Sequence, residues 1–221
     1  MTPAPRRLSA GLFAEGSSDF VFLLPLIRRL LLELCADAEL VAVAEPIELR
    51  GQGETRRDKI VDAVSRARAE LDLVVVHADG KGQVDRVRRE QVDPGAEAVR
   101  ELDVPCVGAI PVKEMEAWTL CDGDALRRAF STALDDATLG VPSRAAEVER
   151  ISDPKEALNA IHRQVIGRRR TSRAVSFLPR LAEELSLARL RGVPAFAELE
   201  RELRLVLEER GYLRPTPTPN G

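Results

Sequence analysis

Leu73-Val74-Val75-Val76-His77-Ala78-Asp79-Gly80-Lys81-Gly82 is the stretch on which the reading of this chain turns. A continuous branched apolar run fits a strand buried on both faces, the usual state of a strand in a parallel sheet covered by helices. The run stops at a polar loop carrying two glycines. Outward from it the same order recurs. Residues 8–14 (Leu-Ser-Ala-Gly-Leu-Phe-Ala) end at Glu15-Gly16-Ser17-Ser18-Asp19, and apolar residues then recur at helical spacing through Leu34. Ser17 or Ser18 is the expected N-cap, with Asp19 in the first turn, where a negative charge suits the helix dipole. An apolar run from Leu40 to Leu49 leads through Arg50-Gly51-Gln52-Gly53 into helical spacing over 54–71. The polar, Arg-rich stretch from Val84 to Arg100 reads as two short helical pieces joined by a turn at Asp93-Pro94-Gly95. A fourth strand, about Val104 to Val112, leads into Lys113-Glu114-Met115-Glu116-Ala117-Trp118 and another helix. Parallel strands need crossovers, so this alternation predicts an α/β domain over residues 1–121, a parallel four-stranded sheet flanked by helices.

Residues 122–214 read as a helical C-terminal extension packed on that domain. Ser152-Asp153-Pro154 opens a helix to about Ile166, and a basic run, Arg168-Arg169-Arg170-Thr-Ser-Arg173, separates it from helices at about 174–190 and 195–211. Residues 215–221, Pro-Thr-Pro-Thr-Pro-Asn-Gly, are expected to be a disordered tail.

The 221 residues carry 33 Lys+Arg against 36 Asp+Glu, a formal net charge of -3, so a polyanion must meet a local patch rather than a basic surface. With 44% hydrophobic and 31% charged residues the composition is that of a globular domain, not of a disordered or fibrous chain. The apolar run Phe20 to Leu26 is cut by Arg28 and Arg29, well short of the ~20 residues of a membrane span. Glu15 and Asp19 precede it and no small-residue cleavage site follows, so it is not a signal peptide and a cytoplasmic location is expected. Cys35, Cys106 and Cys121 match neither CxxC nor a zinc pattern and read as small buried hydrophobes. With His77 and His162 the only histidines, a metal would have to be held mostly by oxygen.

Ligands of an open parallel sheet bind at the carboxyl ends of its strands. The predicted order places Glu15, the Gly51-Gln52-Gly53 loop, His77 with Asp79, and Glu114 with Glu116 on that one edge. Carboxylates gathered there repel one another unless a cation sits between them, and hard oxygen donors suit Mg²⁺ or Mn²⁺. The alternative takes each acid singly: Glu15 and Asp19 as helix-capping acids, Asp79 as a turn residue before Gly80, Glu114 and Glu116 as solvated acids of a first turn. His77 either hydrogen-bonds backbone at the sheet edge or acts with Asp79, which lies on the same side of an extended strand, as a ligand or proton carrier.

Phe13-Ala-Glu15-Gly16-Ser-Ser-Asp19 with Phe-Leu-Leu-Pro, Val-Val-His77-Ala-Asp79-Gly, Ile-Pro-Val-Lys-Glu-Met-Glu116-Ala-Trp118 and Asp153-Pro154-Lys155 together resemble the bacterial "domain of unknown function 4276" family over about residues 8–210. That family is regarded as similar to Toprim domains, the metal-binding α/β domains of topoisomerases, primases and overcoming-lysogenization-defect nucleases. The resemblance implies a Toprim glutamate at Glu15 and an acidic metal motif after the third strand. Where the general pattern has Asp-x-Asp, this chain has His77-Ala-Asp79, and imidazole in place of a carboxylate favours Mn²⁺ over Mg²⁺. On this analogy Glu15 is the general base or acid and Asp79 and Glu116 hold the metal, with Glu114 behind Glu116 and Asp19 as a second metal-facing or orienting acid.

A nucleic acid is the expected substrate, met by Arg168, Arg169, Arg170 and Arg173, or by Arg86, Arg88 and Arg89 if glutamates do not neutralise them. Lys113, on the strand edge, and Lys155, at a helix start that would itself attract an anion, are candidates for stabilising a phosphate. Few aromatic residues are present, so a stacking platform for single strands is not expected, and Trp118, Phe177 and Phe196 read as core packing. The expected activity is metal-dependent hydrolysis of DNA or RNA phosphodiesters; the resemblance adds phage defence beside an ATPase partner. The alternatives are a non-catalytic module that binds metal or nucleotide and works through a partner, and a purely structural protein whose acids cap helices.

Overall fold

The computed structural model describes residues 4–38, 40–166 and 173–215. In chain order the elements are β1 (Arg6–Leu8), β2 (Ala10–Phe13), α1 (Ser17–Leu34), β3 (Val41–Val43), β4 (Ile47–Leu49), α2 (Arg56–Ala67), β5 (Leu73–His77), α3 (Val84–Val87), α4 (Asp93–Val99) and β6 (Cys106–Ala109). There follow α5 (Glu116–Thr119), α6 (Gly123–Phe130), α7 (Asp136–Leu139), α8 (Pro154–Ile166), α9 (Leu178–Glu184), α10 (Leu187–Leu190) and α11 (Pro194–Glu209). The main sheet is parallel throughout, in the order β4-β2-β5-β6, with Phe13 beside Val76 and His77 beside Ala109. β1 and β3 form a small parallel pair of their own.

Period-two alternation sends β5 to both faces at once. Leu73 and Val75 join one apolar cluster with α1, while Val74 and Val76 join a second with Ile60 and Val64 of α2 and Val99 of α4. The helices after Thr119 belong to the first cluster through residues such as Leu126, Leu158, Leu181 and Leu203, so they and the sheet share one core. Arg29 of α1 ties them further, donating to the carbonyls of Ala182 (2.5 Å) and Leu185 (2.7 Å) at the end of α9. No helix among the described residues is long and apolar enough to cross a membrane.

The sheet order creates the position that matters. From β2 the chain crosses to β4 on one side, and from β5 it crosses to β6 on the other, with α1 on one face and α2 and α4 on the opposite face. The carboxyl ends of neighbouring β2 and β5 therefore form a topological switch point, where the two outgoing loops diverge and leave a crevice.

Several local expectations are corrected. The run from Leu40 to Leu49 is two strands, broken at Ala44-Glu45-Pro46, because proline has no N–H to give a ladder. The N-cap of α1 is Gly16, not Ser17 or Ser18; the Asp19 carboxylate reaches back to the Gly16 N–H at 2.9 Å and does the capping from within the first turn. No turn forms at Asp93-Pro94-Gly95. Helical structure runs from Val84 through a wider π-type turn at Arg88–Val92 into α4, with Pro94 in the first turn of α4. Gly95 is where α4 meets α2, since a Cβ on it would fall 2.5 Å from Ile60. The fourth strand is shorter than expected, ending at Ala109. The chain beyond it still pairs with the loop after β5, through Gly80 N–H to Pro111 O (2.9 Å) and Gly82 N–H to Val112 O (2.6 Å).

Candidate functional site

At the switch point Glu15, Asp19, Arg56, His77, Asp79, Lys81 and Gln91 line a small cleft of about 70 Å³. His77 ends β5 and is buried at 3% exposure. Its Nδ1 lies 2.9 Å from the Ala109 carbonyl, and a carbonyl can only accept, so Nδ1 carries the proton of that hydrogen bond. Nε2 then faces the cleft, 3.5 Å from Asp79 Oδ1 and 4.0 Å from Asp19 Oδ2. Asp79 Oδ1 is buried and has no hydrogen-bond partner, whereas the Asp19 carboxylate also takes hydrogen bonds from Gly16 N–H and the Ser18 hydroxyl.

Burial alone would lower the proton affinity of His77. The Asp79 carboxylate facing Nε2, the charge of Asp19 and the Ala109 carbonyl outweigh it, and the pKa ends above its usual 6.5. A raised pKa in the folded state means stability that is fully present below pH 6.5 and lost as pH rises through the higher native value. In chelator, the excess of wild-type Tm over that of His77→Gln is therefore expected to be largest at mildly acidic pH and to shrink toward pH 9. An excess that grows with pH would contradict this charge arrangement.

Arg56 was not singled out by the sequence, and it organises the cleft. It opens α2 behind the Thr55 cap, its side chain is only 14% exposed, and it pairs with Glu15, donates to the His77 carbonyl and reaches the Gln91 carbonyl at 3.0 Å. The glycine loop before it is folded against α2, since a Cβ on Gly51 would lie 1.7 Å from the Lys59 carbonyl and Gln52 N–H donates to Asp62. That loop sets where Arg56 begins. Glu15, by contrast, stands at the mouth with a side chain 76% exposed.

The loop Asp79 to Gly82 is held in an uncommon conformation. Lys81 has φ 48°, rare for a residue with a Cβ, and its N–H donates to the Lys113 carbonyl at 3.2 Å. Lys81 is the lysine that lines the cleft; Lys113 lies over Gly82, its Nζ 3.1 Å from where a Cβ of Gly82 would be. Gly80 is pressed against the chain after β6, and a Cβ there would fall 2.4 Å from Pro111 O and 2.8 Å from Val112 O. Gly80→Ala is expected to cost about 1–3 kcal/mol in urea melts, the range of overpacking, and to displace Asp79. A fully stable Gly80→Ala protein would show that the loop is not clamped.

The remaining predicted acids sit elsewhere. Glu114 accepts from the Lys155 N–H at 3.2 Å, and Asp153 accepts from the Glu156 N–H at 2.8 Å. The backbone N–H groups at the start of α8 are thus already met by the protein's own carboxylates, and what is left there for a phosphate is the Lys155 side chain. Glu116, 6% exposed, lines a separate cavity with Ser18, Lys155, Asn159 and Arg173. Burial pushes its carboxyl above the usual range, Lys155 opposing and the charges of Glu114 and Asp79 adding. Arg168, Arg169 and Arg170 lie outside the described residues, as do residues 216–221 of the expected tail. Arg88 turns inward to Glu202 of α11 at 2.5 Å, which removes it from a free phosphate-binding face, whereas Arg86 stays exposed, 3.9 Å from Glu90. Trp118 and Phe196 are core residues, as expected, and burial pushes the Cys106 and Cys121 thiols up to about 12.

Among the described residues no three His, Cys, Asp or Glu side chains are arranged to hold a metal ion as they stand. The donor types of the cleft nonetheless suit a divalent ion: a buried carboxylate oxygen without a partner, a second carboxylate, and an imidazole whose other nitrogen is committed to a carbonyl, as in most metal-bound histidines.

Fold and cleft define a class: an α/β protein with an acidic, histidine-containing crevice at the switch point of a parallel sheet. A family model described as Domain of unknown function (DUF4276) matches residues 14–204, and the chain belongs to that family. Searches among curated proteins and among solved structures gave no match.

Proposed function

We propose that the chain is a divalent-metal-dependent, Toprim-like nuclease that hydrolyses phosphodiesters of DNA or RNA at the crevice between β2 and β5. The observation that carries this reading is the buried, unpartnered Asp79 Oδ1 beside His77 Nε2 at a sheet edge where ligands bind. Asp19, His77 and Asp79 would hold Mn²⁺ or Mg²⁺. The bound ion would supply charge against the phosphate oxygens and make water a better nucleophile. Glu15, at the exposed mouth, accepts the proton of the attacking water, and its ion pair with Arg56 aims it. Lys81 presents a positive charge to the same cleft and counters charge that builds on the phosphate. An ATPase partner in phage defence, implied by the family resemblance, belongs to the same proposal.

A second reading has its own support. The raised proton affinity of His77 lets an imidazolium fill the gap between Asp19 and Asp79 with no metal, which suits a non-catalytic module working through a partner. Incubation of labelled single- and double-stranded DNA and RNA with the protein in Mn²⁺, Mg²⁺ or EDTA separates the two. The nuclease reading expects cleavage that needs the ion and is lost in Glu15→Gln and Asp79→Asn proteins that still melt cooperatively. Cleavage that survives EDTA or either substitution sinks it, and absence of cleavage on all four substrates, with and without the product of any adjacent ATPase gene, favours the module.

A further inference from the structure

Beside the acidic cleft lies the cavity that contains Glu116, about 310 Å³ and walled by α8, α9 and the short helical turn Ala174–Phe177. It is at the small end of the size range of small-molecule sites. Its composition is divided. Leu158 and Leu178 give apolar walls, while Glu116 of α5 and Asn159 of α8 provide polar groups, and Lys155 and Arg173 add two positive charges. Glu116 is the unusual member, a carboxylate 6% exposed and kept in a place where burial disfavours its charge. Such a group is costly unless something is to bind it.

The cavity and the cleft lie on either side of the start of α1. Ser18 lines the cavity, Asp19 lines the cleft, and the Ser18 hydroxyl donates to Asp19 Oδ1 at 3.2 Å, while the charge of Asp79 is felt at Glu116. A group seated beside Glu116 therefore shares the start of α1 as a wall with the acidic cleft.

We propose that this cavity is a nucleobase pocket that seats one base of the substrate, preferring a base that carries an amino group, and that it sets the sequence preference of cleavage. The proposal rests on the phosphodiesterase reading for its role, but base binding itself does not. A base removed from its stack is bound by apolar side chains against its faces and by hydrogen bonds to its edge. Val175, which lines the cavity and is 43% exposed, meets the first need. A carboxylate accepts from the amino and ring N–H groups of guanine or from the amino groups of adenine and cytosine, and the Asn159 amide both donates and accepts. Uracil and thymine offer one N3–H flanked by two carbonyls on the same edge and so pair less well with Glu116. Lys155 and Arg173 fit the attached phosphate.

The test is calorimetric titration of the full-length protein in EDTA with guanosine, adenosine, cytidine and uridine 5′-monophosphates and with ribose 5-phosphate. The expected result is that at least one amino-bearing nucleotide binds about 10-fold or more tighter than uridine monophosphate and ribose 5-phosphate, a difference of about 1.4 kcal/mol. Glu116→Ala and, independently, Asn159→Ala should each erase most of that difference in proteins that still melt cooperatively. Equal binding of ribose 5-phosphate, no nucleotide binding, or a base preference unchanged in both pocket variants overturns the proposal. Base-selective binding by a protein that cleaves nothing would leave the pocket standing and reject the nuclease, whereas metal-dependent cleavage without base preference would do the reverse.

Discussion

With Mn²⁺ at about a hundred times its dissociation constant, the wild-type protein is expected to melt roughly 5–10 °C higher than in EDTA, and Asp79→Asn is expected to lose that gain. Binding to the native state alone stabilises by about 2.7 kcal/mol at that excess, and each kcal/mol moves Tm by about 2–4 °C for a chain of this size. Asn keeps the shape of Asp79 but removes its charge. The carboxylate is the group in the cleft with a buried oxygen lacking any partner, so its loss should weaken Mn²⁺ by about 100-fold or more, at least the effect usually seen for groups one step further from a metal. In EDTA the two proteins should melt within a few degrees of each other, because the substitution removes both the attraction of Asp79 for His77 and its repulsion of Asp19. Calorimetric titration with parallel thermal melts measures both. An unaltered Mn²⁺ response in Asp79→Asn would place the ion elsewhere, and no response in either protein would support the imidazolium-filled, non-catalytic reading.

Trp118→Ala should be the most destabilising single substitution considered, about 3–5 kcal/mol, the usual cost of emptying a large aromatic site. Trp118 is 1% exposed and meets Phe196 of α11 edge to face, with ring centroids 5.4 Å apart and planes at 89°. This contact joins the helix after β6 to the last helix of the chain, so its loss loosens the C-terminal helices from the sheet. Against a total of about 5–15 kcal/mol for a typical domain, such a loss brings the fold close to unfolding at room temperature. Trp118→Phe should cost less than half as much, since it keeps an aromatic ring against Phe196 and removes an indole N–H that is buried without a partner. Urea denaturation of the three proteins measures the series, and a cost below about 1 kcal/mol for the alanine variant would mean that the site collapses freely.

The parts of this molecule that were legible in the sequence are those where neighbours along the chain decide the outcome. The branched run of β5 can be buried only by helices on both faces, and the apolar spacing of α1, α8 and α11 allows few other structures. The same local rule put His77 and Asp79 on one side of a strand; the strand ends at His77, and Asp79 meets His77 at 3.5 Å from the loop that follows. Local rules misled where backbone chemistry had two uses. Gly95 marks a close approach to Ile60 rather than a turn, and Asp19 caps α1 in place of either serine.

Tertiary structure alone decided what surrounds the cleft. Arg56 lies 41 residues from Glu15 and 35 from Gln91, and its place beside both depends on the order β4-β2-β5-β6, which no local pattern encodes. Three lysines near acidic motifs looked alike in sequence, yet Lys81 turns into the cleft, Lys113 covers Gly82, and Lys155 lines the cavity of Glu116. Glu114 and Glu116 are two residues apart and were expected at one centre, but a helical start turns one to the N-terminus of α8 and the other into the interior. The sequence by itself determined which segments are buried and in what order strands and helices follow, because burial is a property of each segment. Which charges face one another was left to the packing of those segments, because a side chain's partner is set by distance in space.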